Sequence, residues 1–387
     1  MSSDTGTPTP IRVSLDALPL LGHPTGVGAF CLGALRALHE RPELSVSAYA
    51  VTWRRNDELR RLVPAGVPLA RRPMPARPLQ AIWGRYDTPP LEWFIGQVDI
   101  VHGTNSESHP TAKAAEVVTV HDLTPLRFPK LRNPAAADYA DLIARALRRG
   151  AWIHTDSEFV ASEVIESFGV DPGRVRTVAP GVPSLPVVSG DAAREIVGKL
   201  LEPEPERFIL SIGTSEPRKD LPSLVRAFDA VASKDPGIAL VLAGQRGWGE
   251  ADLSAAISAA RARERIFRTG WIDEVTLTAL LHRASLLAYP SIYEGFGFPP
   301  LQAMAVGVPV VATSAGSLPE VLGEAAWLVE PDDEQGLIEG IAHVLDDESV
   351  TARLKAAGFE RVSKFSWSLF AVELSRFYRD LLVPAAN

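Results

Sequence analysis

The 387 residues are 46% apolar and 22% charged, a globular balance that excludes long disordered tracts, and at about 150 residues per domain they predict two or three domains. A net charge of -8 and an isoelectric point near 5.6 argue against a basic nucleic-acid binder, so no nucleic acid is expected as a partner. The single cysteine, Cys31, excludes an internal disulfide framework and a multi-cysteine zinc site.

Residues 1–10 are polar and show no apolar secretory segment, which predicts a cytoplasmic protein. Short β-branched runs then alternate with helical patterns. Strands are predicted at 11–15, 44–51, 100–102, 117–121, 152–155 and 175–179, with helices at 28–39, 134–149 and 158–168. The rhythm repeats with strands at 208–212, 239–243, 266–269, 286–289, 309–313 and 327–329. Its helices are predicted at 221–232, 251–262, 274–284, 301–306, 334–345 and 350–359. Strands alternating with helices imply βαβ units, and two such runs imply an α/β chain of two doubly wound domains.

The boundary is placed within 180–205, where Pro180, Pro183, Pro186, Pro203 and Pro205 punctuate the chain. The predicted division is 1–183, 184–365 and a final segment, 366–387. That segment carries an amphipathic helix with Trp367, Phe370, Leu374, Phe377, Tyr378 and Leu381 on one face. Residues 295–319 contain no charge and are long enough to span a bilayer. Pro299, Pro300, Pro309, Pro319 and four glycines make a buried loop–helix–strand unit the better reading.

Charge is unevenly spread. The first 180 residues hold 20 Lys and Arg against 19 Asp and Glu; the remainder holds 19 against 28. Between Trp53 and Arg85 lie eight arginines (Arg54, Arg55, Arg60, Arg61, Arg71, Arg72, Arg77, Arg85) against Asp57 and Glu58, interleaved with Trp53, Ile82, Trp83 and Tyr86. One reading is a patch for an anionic membrane surface or a phosphate-bearing acceptor. The other is a solvated connection whose arginine stems cover apolar surface.

The richest motif is Ser291-Ile-Tyr-Glu-Gly-Phe-Gly-Phe-Pro-Pro-Leu-Gln-Ala-Met, which follows the strand at 286–289. Gly295 and Gly297 allow a tight turn and close ligand approach. Pro299 and Pro300 suit the first turn of a helix. A glycine loop running into a helix N-terminus is a phosphate site in a doubly wound domain. Glu294, at its mouth, would be repelled by phosphate and is expected to face hydroxyls.

Gly213-Thr-Ser-Glu-Pro-Arg-Lys-Asp follows the strand at 208–212 and puts Arg218 and Lys219 at the same sheet edge. A guanidinium fork and an ammonium together suit a diphosphate. The alternative is a solvated turn capped at Asp220. Pro24-Thr-Gly-Val-Gly-Ala has Gly26 and Gly28 where a dinucleotide fingerprint begins, but its third glycine position is Cys31. His121 ends a strand at the ligand edge, where it binds or polarises a substrate or fills a core or turn position. Asp122 is expected to cap the following turn.

Taken together these pieces resemble the family 4 glycosyltransferases, whose GT-B architecture is two facing Rossmann-like domains with a cleft between them. The resemblance rests on Thr25-Gly-Val-Gly, Val120-His-Asp-Leu-Thr-Pro-Leu-Arg-Phe-Pro, Thr155-Asp-Ser-Glu-Phe, Gly213-Thr-Ser-Glu-Pro-Arg-Lys, Gly270-Trp-Ile, Glu294-Gly-Phe-Gly-Phe-Pro-Pro and Gly316-Ser-Leu-Pro-Glu. It implies retaining transfer of a hexose from a nucleotide-diphosphate sugar, GDP-mannose-like or a UDP-sugar, to a saccharide or lipid-linked acceptor. It implies no metal and no cofactor beyond the nucleotide-sugar as co-substrate. Carried over by position, Arg218 and Lys219 would hold the diphosphate with the N–H groups of Phe296, Gly297 and Phe298. Glu294 and His121 would contact the transferred sugar. Gly26 and Gly28 would let the first domain approach it, while Thr214, Trp271, Ile272 and Gly295 complete the donor site. The final helix would cross back to the first domain.

One position departs from the family. A second glutamate usually follows eight residues after the first and binds the ribose; here it is Gln302. An amide still accepts and donates, but it forgoes the charge-assisted part, about 1 kcal/mol. Two rivals accompany the transferase: a non-catalytic nucleotide-sugar-binding protein, and a sugar-nucleotide epimerase or hydrolase of the same architecture.

Overall fold

The computed structural model describes residues 9–22, 25–70, 72, 74–131 and 139–383. It contains two six-stranded, wholly parallel sheets. The first joins β1 (Ile11–Asp16), β2 (Leu44–Tyr49), β3 (Ile100–Gly103), β4 (Ala115–Val120), β5 (Trp152–Thr155) and β6 (Val175–Thr177) in the order β2-β1-β3-β4-β5-β6. The second joins β7 (Arg207–Ile212), β8 (Ile238–Ala243), β9 (Ile266–Gly270), β10 (Leu286–Tyr289), β11 (Val310–Thr313) and β12 (Trp327–Val329) in the order β12-β11-β10-β7-β8-β9. The α/β prediction is borne out, and each predicted strand end lies within two residues of the observed one. The reason is burial: all six residues of β8 are buried. A parallel strand covered on both faces reads as an unbroken apolar run.

In the second sheet the chain starts at β7, winds outward through β8 and β9, then returns to pair β10 on the other side of β7. The order reverses between β7 and β10, so the loops leaving these two strands diverge around a crevice at their carboxyl ends. In the first sheet the same reversal falls between β1 and β3.

The chain forms two compact units. The first gathers the described parts of Met1–Arg127, Ala136–Gly181 and Phe365–Asn387; the second gathers those of Phe128–Ala135 and Val182–Lys364. The last helix, Trp367–Leu382, is part of the first unit and packs on the helix Gly26–His39. It buries Phe370, Leu374, Phe377 and Tyr378, and Phe370 meets Phe30 edge to face at 5.6 Å.

A buried polar chain anchors the same helix. His154 Nε2 lies 3.0 Å from the Val178 carbonyl, which can only accept, so this nitrogen donates. Neutral His154 then accepts at Nδ1 from the Thr119 hydroxyl at 2.9 Å. Thr119 Oγ1 in turn accepts from His102 Nε2 at 2.7 Å, and His102 Nδ1 accepts from the Tyr378 hydroxyl at 2.5 Å. Burial holds both imidazoles below their ordinary range, which keeps them neutral.

Three predicted regions differ. The proline-punctuated stretch at 180–205 contains a helix, Gly190–Leu200, capped by Ser189 Oγ accepting from Ala192 N at 3.3 Å. The arginine-rich stretch contains two more, Asn56–Leu62 and Ala76–Trp83, so it is not merely an irregular connection. The helix predicted at 301–306 starts earlier, at Phe298. Pro24, Arg71 and the predicted helix start at 134–138 lie outside the described residues. Among the described residues no helix is long and apolar enough to cross a membrane.

Candidate functional site

The order reversal of the second sheet gathers the strongest charges. After β7 the backbone runs through Gly213 and Thr214 into a tight turn, Pro217–Lys219. Asp220, at φ 42, starts the next helix and leaves Arg218 and Lys219 at the sheet edge. The Arg218 carbonyl accepts from Ile292 N at 2.8 Å, tying this turn to the loop after β10. Glu294 lies on that loop, 6% exposed. Its Oε1 accepts from Lys219 Nζ at 2.6 Å and from Arg218 Nη1 at 2.9 Å. Arg218 Nε donates to Glu216 Oε2 at 2.8 Å, and Lys219 Nζ donates to the Tyr289 hydroxyl at 2.5 Å.

A buried ammonium and a half-buried guanidinium thus face two carboxylates. Burial pushes the Glu294 carboxyl up, but Arg218 and Lys219 outweigh it and bring it to about 2. Burial, then Arg218, lowers the Lys219 ammonium, against the pull of Glu294. Glu294 therefore meets two cations in this structure.

Gly316 explains how the loop stays in place. It sits at φ 59, and a Cβ on it would lie 2.3 Å from the Glu294 carbonyl oxygen. The same carbonyl accepts from Ser317 N at 2.9 Å. A side chain at 316 would push this peptide away. The glycine loop continues through Gly295 and Phe296 to Gly297, at φ 102, which precedes the helix Phe298–Ala305. Pro299 and Pro300 occupy its first turn and Gln302 its second, half-buried. Trp271 and Ile272 follow β9, and Trp271 is exposed.

Arg218, Lys219 and Glu294 are thus brought into one cluster, with Thr214 and residues 295–298 on the same two loops. Glu216, Tyr289 and Gly316 were read as motif or strand residues without a role. Glu216 was the findable one, two residues from a cation in a loop at the ligand edge.

In the first unit, Thr25 Oγ1 caps the helix Gly26–His39 by accepting from Gly28 N at 3.2 Å. A Cβ on Gly28 would lie 3.0 Å from the Pro19 carbonyl oxygen, so this glycine serves close packing of the loop after β1. Asp122 Oδ1 accepts from Thr124 N at 2.9 Å, as a turn cap does. His121 has both ring nitrogens engaged, Nδ1 with Asp156 Oδ2 at 2.6 Å and Nε2 with the Thr104 carbonyl at 2.9 Å. Asp156 was not singled out from the sequence. Beside them, burial pushes the Asp16 carboxyl at the end of β1 up to about 7, against the Leu18 N–H that it accepts. Among the described residues no three His, Cys, Asp or Glu side chains are grouped to hold a metal ion.

The sequence model of the family described as "Glycosyltransferase Family 4" matches residues 24–184, and that of "Glycosyl transferases group 1" matches residues 193–361. The chain is 30% identical over 284 residues to O-antigen chain mannosyltransferase B of Escherichia coli, covering 73% of this chain and 74% of that protein. It is 32% identical over 259 residues to the serotype-specific mannosyltransferase WbdA of Escherichia coli, covering 65% of this chain but 32% of that longer protein. Sucrose-phosphate synthase from Thermosynechococcus elongatus has a similar fold, with a TM-score of 0.73 at 20% identity over 96% of this chain and 99% of that one.

Proposed function

The chain belongs to glycosyltransferase family 4, and from that premise we propose that this glycosyltransferase moves a hexose from a nucleotide-diphosphate sugar to a saccharide or lipid-linked acceptor, with retention at the anomeric carbon. The observation that carries the reading is the pairing of half-buried Arg218 and buried Lys219 on Glu294 where the second sheet reverses its order. Mannose is the first sugar to test, because the relatives matched over most of the chain's aligned length are named mannosyltransferases. GDP-mannose and the UDP-sugars are the donor classes.

In this reading the donor diphosphate takes the place of the Glu294 carboxylate on Arg218 and Lys219, joined by the N–H groups of Phe296, Gly297 and Phe298. The released Glu294 then accepts from sugar hydroxyls. Thr214, Gly295, Trp271 and Ile272 border the donor, and Gln302 meets the ribose with weaker anchoring than a carboxylate would give. His121, Gly26 and Gly28 serve the transferred sugar from the first unit.

The bond from the anomeric carbon to the phosphate oxygen breaks as the acceptor oxygen bonds to that carbon on the same face. The acceptor's proton passes to the leaving phosphate oxygen. Negative charge grows on the nucleoside diphosphate, and two fixed cations stabilise it without reorganising. They supply the neutralisation that a divalent ion gives elsewhere, so no metal is required. Trp53, Ile82 and Tyr86, exposed among the arginines of the first unit, support peripheral contact with an anionic membrane on its cytoplasmic face.

Lys219→Ala tests the reading. Transfer from a panel of nucleotide-sugars is expected to fall by about 100-fold or more, with circular dichroism unchanged. A variant that transfers at the parental rate overturns the assignment.

A further inference from the structure

The ends of β4 and β5 meet in an ion pair that the proposed chemistry leaves unexplained. His121 Nδ1 lies 2.6 Å from Asp156 Oδ2, and Nε2 lies 2.9 Å from the Thr104 carbonyl oxygen. A carbonyl oxygen accepts only, and so does an ionised carboxylate. Both ring nitrogens must donate, which makes the ring an imidazolium.

The surroundings favour that state. Asp156 is 4% exposed, and among the described residues its Oδ1 has no hydrogen-bond partner. A buried, half-satisfied carboxylate demands a counter-charge, and His121 provides one. Asp122, the next residue along the chain, adds negative charge. His102 and His154, packed nearby, are the opposing cations in waiting, but both are held neutral by burial. Phe30, from the helix Gly26–His39, meets the ring edge to face at 4.7 Å and carries no charge. Burial alone would lower the His121 imidazole; Asp156, Thr104 and Asp122 outweigh it and raise it.

We infer that Asp156 is a positioning residue of the transferase, acting through His121: it fixes the ring against the Thr104 carbonyl and holds it as a donor-only cation at the ligand edge of the first sheet. The inference rests on the proposed contact of His121 with the transferred sugar. A ring bound in this way cannot take the acceptor's proton, so the general-base role is closed to it. That leaves the proton to the departing phosphate oxygen, as same-face attack requires. What His121 offers a sugar is the polarised Cε1–H edge between its two nitrogens. The pair with Asp156 is neutral as a whole. It presents a dipole and no net positive charge to a carbon that becomes electron-poor.

The test uses the full chain labelled with 15N-histidine. In the parent at pH 7, both His121 nitrogens are expected to show the shifts of protonated ring nitrogens. In Asp156→Asn, which keeps an acceptor but loses the charge, the His121 midpoint is expected to move down. Each unit of that move lowers the protonated fraction above the midpoint about tenfold. The rate of transfer should then decline at a lower pH than in the parent, through kcat, with donor KM little changed. An unprotonated His121 nitrogen in the parent at pH 7 overturns the inference, even if the variant fails to fold. A shifted His121 midpoint with an unchanged pH–rate profile overturns the positioning role. A parent that transfers no sugar counts against the proposed function and leaves the nitrogen spectrum to be judged separately.

Discussion

Glu294 Oε1 receives both Lys219 Nζ and Arg218 Nη1, so an incoming diphosphate must take cations that are already engaged. This makes Glu294 a competitor for the donor's anionic part as well as a partner for its sugar. Glu294→Gln separates the two roles. Removing the charge should tighten binding of the nucleoside diphosphate alone by about 1.5–3 kcal/mol, the scale of a hydrogen bond to a charged group, while transfer falls. Calorimetry on the nucleotide, beside a transfer assay, reads both; weaker nucleotide binding would remove the competition. The cost appears in stability. A carboxyl lowered to about 2 contributes stability that is fully present above its ordinary range near 4.3 and is lost as pH falls through about 2. The variant should therefore be less stable than the parent at neutral pH, with the gap narrowing in acid. At this scale the cations and Glu294 were legible, because each follows a strand end and a turn signal. Tyr289 and Asp156 were not. Their roles come from side chains 70 and 35 residues away in sequence, which only the folded sheets bring together.

The twelve strands among the described residues and most helices were readable as elements because their apolar periodicity coincides with their burial. The helices Asn56–Leu62, Ala76–Trp83 and Gly190–Leu200 were missed for a shared reason. The first two are short, all three have prolines within four residues of an end, and Pro78 sits in the first turn of Ala76–Trp83, where a missing N–H costs little. The final helix was readable as amphipathic, but the composition of its apolar face could not show that Tyr378 ends a hydrogen-bonded chain through His102, Thr119 and His154. Tyr378→Phe keeps the ring and removes the donor to His102 Nδ1. A buried acceptor without a donor costs about 1–3 kcal/mol, so urea denaturation should show that loss at pH 8. At lower pH the parent itself weakens. His102 and His154 are held below their ordinary range, so stability is lost as pH falls through about 6.5, where the unfolded chain takes up protons. A Tyr378→Phe protein as stable as its parent at pH 8 would show that the chain carries no net stabilisation.

Across the whole molecule, the acidic excess lies in the second part of the sequence, and the arginine-rich stretch falls in the part that is near neutral. The structure refines this. Arg54, Arg55, Arg60, Arg61, Arg72, Arg77 and Arg85 are exposed together with Trp53, Ile82 and Tyr86, while Leu59, Leu79 and Trp83 from the same stretch are buried. Some apolar residues of the stretch are covered, and a mixed aromatic and cationic surface remains. Arg55 is engaged with Glu58 at 2.6 Å, which leaves Arg60 and Arg61 on the helix Asn56–Leu62 as the better probes. Each arginine near an anionic leaflet contributes about 1 kcal/mol, screened by salt. The full chain is expected to sediment with vesicles containing an anionic phospholipid, to be released by raised salt, and to stay in solution with purely zwitterionic vesicles. Reversing both charges in Arg60→Glu with Arg61→Glu should lower vesicle binding by more than tenfold, while transfer to a water-soluble acceptor is unchanged. Equal sedimentation of parent and variant would assign these arginines to covering the first unit and take the membrane away from them.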